Sequence, residues 1–226
     1  MLLLPALRVC AQQEIFRPDH DDVPYYFGAS FSYVSSSFHT TKNLAFLQGD
    51  SILSAEPGSG GGIALGFLFT GRISRRFEAR FNPQLIMGSA RKITYQLKNP
   101  GPFEEPVVTQ NLPSTIITFP LHLKFNSDRI QNFRVYTFGG MKFDIDLASN
   151  SGTRNAENMV KLKKYDYGAE IGIGFNFFTP FVTVSPEIKF STGLGNIHAR
   201  DASLKYSNIF DKIQNRMIFL TLNLED

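Results

Sequence analysis

Residues 116–147 read IITFPLHLKFNSDRIQNFRVYTFGGMKFDIDL, two alternating runs joined by a short polar break at Asn126-Ser127-Asp128. In the first run Ile117, Phe119, Leu121, Leu123 and Phe125 share one parity, and Thr118, Pro120, His122 and Lys124 share the other. In the second, Phe133, Val135, Thr137, Gly139, Met141, Phe143, Ile145 and Leu147 oppose Arg134, Tyr136, Phe138, Gly140, Lys142, Asp144 and Asp146. A period of two is a strand with one apolar and one polar face. The polar face mixes glycine with both signs of charge. A water-exposed face has little use for glycine, whereas a narrow, crowded lumen does. The pair therefore reads as a hairpin of a transmembrane β-barrel, with lipid on the phenylalanine side.

No apolar run in the 226 residues approaches the roughly 18 that would suggest a spanning helix. The mean hydropathy of −0.11 does not exclude a membrane protein, because barrel strands average their two faces. The chain has 22 Phe and no Trp, and that much phenylalanine must fill a large core or face lipid. Its formal charge of +3 comes from scattered Lys and Arg, with no basic stripe interleaved with aromatics, so nucleic acid is not an expected partner. The start, MLLLPALRVCAQQ, resembles the apolar part of a secretory signal with a small-residue cleavage site at Val9-Cys10-Ala11. Residues 1–11 thus read as a truncated signal peptide, with a lipid anchor on Cys10 as the alternative. Cys10 is the only cysteine, so a mature chain without it needs no disulfide in an oxidising compartment.

Residues 12–24 read as a polar, periplasmic N-terminal tail and residues 25–226 as the barrel. The period-two segments predict about eight strands, at 25–38, 61–73, 77–90, 116–125, 133–147, 162–178, 181–192 and 216–224. Between them the connections alternate long, short, long, short, long, short, long. That is the rhythm of an outer-membrane barrel with short periplasmic turns and longer external loops, and it puts both termini in the periplasm. The long polar connections are 39–60, 91–114, 149–161 and 193–215. A strand extension over 92–97 and a helical turn over 201–211 are expected within them. Pro83, Pro120 and Pro186 each remove a ladder bond, so bulges or pairing ends are predicted there.

A soluble ligand barrel has the same alternation with its faces exchanged. Volume decides between them, because an eight-stranded interior is just wide enough for side chains or one small ligand. Several bulky residues from each strand would overfill it, whereas the polar rows fit. Glu78, Arg80, His122, Lys124, Lys142, Asp144, Asp146, Glu170, Glu187 and Lys189 then form a lumenal network, since buried charges persist only when paired. A filled, paired lumen leaves no open pore. Tyr25, Tyr26, Tyr165, Tyr167 and Tyr206 are the candidates for interfacial girdles.

Several blocks resemble one family. Phe81-Asn82-Pro83-Gln84-Leu85, Phe119-Pro120-Leu121-His122-Leu123-Lys124-Phe125 with Ser127-Asp128-Arg129, Gly140-Met141-Lys142-Phe143-Asp144, Ser185-Pro186-Glu187-Ile188-Lys189 with Gly193-Leu194-Gly195-Asn196, and Asn215-Arg216-Met217-Ile218 are similar to the PorT family. The resemblance covers most of the chain from Tyr25 onward. It implies an outer-membrane barrel of the Bacteroidota linked to the type IX secretion system and to the export of proteases and gliding adhesins. It brings no catalytic residue and no cofactor. The chain departs from many such barrels in ending Asn223-Leu224-Glu225-Asp226 rather than on an aromatic residue. Its expected partners are outer-membrane lipid and other secretion components, met in part through Arg129 in the short turn after residue 126. No small-molecule substrate is expected.

The rival classes are a lipid-modifying outer-membrane enzyme and a surface adhesion barrel. An enzyme needs Ser or Asp with His at the rim, for which His39 and His198 with Ser36 or Asp201 are the candidates. His20 falls in the tail, and His122 faces the lumen. The Asp144-x-Asp146 pair shares a strand face with Lys142, which favours ion pairing over a metal site.

Overall fold

The computed structural model describes residues 14–43, 52–98, 100, 105–149, 160–199 and 209–226. A 3-10 turn, Pro18–Asp21, precedes strands β1 (Tyr25–Lys42), β2 (Ile52–Gly58), β3 (Gly60–Arg72), β4 (Phe77–Phe81), β5 (Gln84–Met87) and β6 (Arg91–Leu97). They continue with β7 (Val107–Leu112), β8 (Ile116–Asn126), β9 (Phe133–Asp146), β10 (Tyr165–Phe178), β11 (Thr183–Gly193) and β12 (Phe210–Glu225). The large sheet runs β1-β12-β11-β10-β9-β8-β4-β3-β5, and two further pairings, β1–β3 and β8–β5, close it. β4 and β5 are two halves of one interrupted strand, so the ring has eight antiparallel members. Closure removes every sheet edge, which is the condition for a sheet to stand in hydrocarbon.

The exposure pattern is inverted relative to a soluble protein. Phe67 is 76% exposed and Leu121 59%, while Arg80 is 1% exposed and Lys124 0%. The apolar rows of the ring strands, rich in phenylalanine on β1, β3, β8 and β10 and in leucine on β12, face outward. The opening hairpin holds as read, with β8 and β9 paired from Ile116↔Asp146 to Asn126↔Tyr136. Its neighbour explains the lumenal glycines. Gly172 and Gly174 on β10 lie opposite Phe138 and Tyr136 on β9. A Cβ at either would run into the facing ring, so the absent side chains are the space in which the rings lie. Of the tyrosines, Tyr25, Tyr165 and Tyr167 are exposed on the outer wall, joined by Tyr33. Tyr26 is not a girdle residue: it has lumenal parity and donates its hydroxyl to Glu78 at 2.8 Å. Tyr206 lies outside the described residues.

The prolines interrupt pairing without shifting register. Phe81 pairs Leu121 and Gln84 pairs Thr118, which leaves Asn82-Pro83 facing Phe119-Pro120 across a gap in the ladder. Their carbonyls still accept, from Phe67 N–H onto Pro83 at 3.1 Å and from Asn82 N–H onto Pro120 at 3.3 Å. Pro186 stays paired with Leu222 of β12, but pairing toward β10 lapses between Gly174↔Glu187 and Phe177↔Val184. Pairing ends, not bulges, absorb the missing N–H groups.

The largest departure from the sequence reading lies at the end away from the tight turns. The connections expected as long polar loops carry strand well beyond the stretch expected over 92–97, which is β6: β1 runs to Lys42, β12 starts at Phe210, and β2, β6 and β7 form a second antiparallel sheet. Ile52, Ile93, Tyr95, Leu97 and Leu112 of that sheet pack with Phe38, Phe210 and Ile213 of the ring. Leu162 and Ile197 join the same cluster. The alternation Ile93-Thr94-Tyr95-Gln96-Leu97 signals this, but it serves a dry core rather than a lipid face. The helical turn expected over 201–211 falls mostly outside the described residues, and its last two residues are strand. Replacing Gly174 by Val drives a branched side chain into the Tyr136 ring, with an expected loss of roughly 1–3 kcal/mol from overpacking. A lowered midpoint for urea unfolding of the refolded barrel, against an unchanged midpoint for the outward substitution Ile173→Val, is the check.

Candidate functional site

β12 places a side chain in each successive layer of the lumen. From the turn end its inward row is Glu225, Asn223, Thr221, Phe219, Met217, Asn215 and Ile213, all of low exposure. At the bottom, Arg80 of β4 reaches across the bore to Glu187 of β11 and to Glu225 of β12, the latter at 2.6 Å. Tyr136 donates its hydroxyl to the same Glu187. Beside this cluster Glu78 accepts from Lys124 at 3.3 Å and from Arg72 at 3.2 Å, and the Lys124 ammonium sits 4.0 Å from the centre of the Tyr136 ring. One layer up, Glu170 takes His122 at 2.7 Å and Lys189 at 3.0 Å. Lys189 also rests 4.1 Å from the Phe219 ring centre, which accounts for an aromatic residue on a polar row. Val34, Ala64, Ile86, Ile116 and Met217 with Phe219 form an apolar layer above. Then come Lys142 on Asp144 at 2.6 Å, and Arg91 on Asp146 at 3.0 Å with Asn215 as second acceptor.

All ten residues expected in the lumen lie on its inner wall, but their grouping differs from the expectation at one point. Asp146 does not pair with Lys142; it is part-exposed at the loop end and takes Arg91. The sequence reading also passed over members of the network. Glu225, beyond the last strand expected at 216–224, is fully buried against Arg80, and its parity with Thr221 and Asn223 is the signal. Arg91 was placed in a loop. Asp166, which accepts from Asn215 at 3.1 Å, and Tyr136 were on the right row but unassigned.

The turn end is closed by the N-terminal segment, which is docked rather than a free tail. Asn132 accepts from the Phe16 N–H and donates to the Glu14 carbonyl, both at 2.8 Å. Arg129 donates to the carbonyls of Phe16 and Arg17 and stacks 3.7 Å from the Phe178 ring centre. Arg134 holds Asp21 at 2.8 Å, and Arg17 donates to Thr183 Oγ1 and to the Glu225 carbonyl, each at 3.2 Å. His20 is the stopper. It is buried between the Tyr26 and Phe178 rings, and neither ring nitrogen has a hydrogen-bond partner among the described residues. Burial, helped by the charges of Arg17 and Arg72, lowers its pKa to about 4.

The described rim residues do not assemble into a catalytic group. His39 faces outward opposite Gln214, whereas Ser36 has lumenal parity and donates to the Ser89 carbonyl. They stand on opposite faces of the wall. His198 is buried in a bridge with Leu162, and Asp201 lies outside the described residues. Among the described residues no group of three or more His, Cys, Asp or Glu could hold a metal ion.

Comparison with known proteins places this geometry. Residues 11–199 match the family described as outer membrane protein beta-barrel domain. Among solved structures the chain is similar to OprG from Pseudomonas aeruginosa, at 15% identity and TM-score 0.44, over 89% of this chain and 95% of that one. It is similar to Neisserial surface protein A at 10% identity and TM-score 0.43, over 89% and 97%. Ail of Yersinia pestis is similar at 7% identity and TM-score 0.39, over 90% and 100%. No curated protein matches the chain.

Two outcomes follow from the buried charges. Arg80→Met strands Glu187 and Glu225 in a closed lumen and is expected to destabilise the barrel by about 3–5 kcal/mol. Adding Glu187→Gln and Glu225→Gln should recover much of that loss in the same urea titration. His20, whose folded pKa lies below the unfolded value, stabilises docking of the N-terminal segment above pH 6.5. That contribution, on the order of 3 kcal/mol, is lost as the pH falls from 6.5 to 4. Faster amide exchange in residues 14–22 over that interval, absent in His20→Leu, is the expected reading.

Proposed function

The chain belongs to the outer membrane protein beta-barrel domain family and is an outer-membrane β-barrel; from that premise we propose that it is an accessory component of the type IX protein secretion system. It supports export of cargo proteins through contacts with other components and carries no cargo itself. One observation supports the second half of this reading above all. The bore is filled by ion pairs from Arg80 to Arg91, covered at one end by the docked residues 14–22 and at the other by the apolar cluster around Tyr95 and Phe210. The link to type IX secretion comes from the PorT-like blocks on β4–β5, β8, β9, β11 and β12. In this reading the tight turns and both termini face the periplasm, and the β2-β6-β7 sheet stands outside the cell.

The structured outer sheet favours a second reading, a surface barrel that acts by adhesion. A deletion strain separates the two. Type IX secretion predicts that cargo proteases accumulate inside the cell while the lipid A profile stays unchanged; normal cargo export would sink the proposal. The purified protein is expected to give no stable conductance steps in a planar bilayer. In a Cys10→Ser background, an impermeant maleimide should label Asn111→Cys on intact cells but not Arg75→Cys in the turn between β3 and β4.

A further inference from the structure

On the outer wall, β12 presents Leu224, Leu222, Leu220 and Ile218, and then Arg216, exposed and with no acidic partner among the described residues. Arg216 pairs with Ser37 of β1 on one side and Thr192 of β11 on the other, and Thr192 pairs in turn with Ala169 of β10. Among the described ring strands it is the only charged side chain facing outward between the tight turns and this level. The small side chains around it leave a dent of about 360 Å³, walled by Phe190, Ile171 and Ile218. A second dent of about 530 Å³ lies on the same four strands nearer the turns, between Tyr33, Phe175, Ile188 and Leu222. It falls where Pro186 ends pairing with β10. Leu222 lies six steps along β12 from Arg216, ~20 Å of strand at the usual rise. The two dents follow one another along the apolar wall, a track with a cation at its loop end.

We propose that this track binds a phosphorylated glycolipid of the lipid A class, with the phosphate on Arg216 and one acyl chain running toward Leu222. An arginine that stands alone at the edge of an apolar band needs an anionic partner, and its planar fork suits a phosphate in two-point contact. Ser37 and Thr192, its immediate cross-strand neighbours, add hydroxyl donors within reach of the same headgroup. The track suits a chain better than a protein helix. A helix about 10 Å across would ride over Phe190 and Ile218 without entering the dents. The choice of glycolipid over phospholipid rests on the orientation proposed above, which puts the loop end in the outer leaflet.

The test is native mass spectrometry of the full protein in detergent, titrated with bisphosphorylated lipid A, with its dephosphorylated form and with phosphatidylglycerol. The wild type should hold one lipid A, and Arg216→Gln should weaken binding by about tenfold, with Arg216→Lys between the two. Thr192→Trp, which fills the upper dent and leaves the charge, should also displace the lipid. Dephosphorylated lipid A should bind the wild type no better than lipid A binds Arg216→Gln. Equal binding by wild type and Arg216→Gln overturns the site. A preference for phosphatidylglycerol overturns the glycolipid assignment. The cysteine labelling then tells which premise failed: external labelling at Arg75→Cys means the orientation was wrong, and labelling confined to Asn111→Cys means the lipid choice was.

Discussion

Arg80 stands on β4 and its two carboxylates stand on β11 and β12, so their contact spans the bore and joins parts of the ring that share no ladder. The wall holds itself by backbone hydrogen bonds. Its shape, however, depends on the interior being filled, and the ion pairs fill it. A lone charge in that space would cost several kcal/mol, and further hydrogen bonds to the carboxylates help the pairs repay it. Tyr136 on Glu187 and Tyr26 on Glu78 supply such bonds. The glycines at 172 and 174 belong to the same arrangement, because they make room for the rings that complete the network.

Filling the lumen moves the functional question to the ends and to the outer wall. The turn end carries a docked segment whose stopper is a neutral histidine. The loop end carries a small water-excluding core of its own, built from strands that rise out of the ring. Between the tight turns and the level of Arg216, the outer wall of the described ring strands is uncharged except at Arg216. In the proposed reading such a barrel acts through its surfaces and carries no cargo through its centre.

The candidate site was half legible beforehand. Row parity on β4, β8, β9, β10 and β11 identified the charges of the central lumen, since a strand needs only its own alternation to say which residues share a face. Glu225 escaped because it sits at the end of the chain, where a charged residue looks like a solvated terminus. Arg91 escaped because its strand leaves the membrane band, and the polar residues around it look like a loop. For Arg129, nothing in the turn's own residues says that residues 14–22 fold back over it.

Alternation, phenylalanine content and the spacing of turns determined on their own that the chain closes into an eight-stranded barrel with charge inside and hydrocarbon side chains outside. These are local properties, set by a period of two and by what a narrow bore can hold. Tertiary structure decided which carboxylate meets which cation, that the connections beyond the ring condense into a second sheet, and that the N-terminal segment seals the turns. Each of those depends on contacts between residues far apart in the chain; an alternation such as that of Ile93 to Leu97 marks a strand but does not say what it packs against.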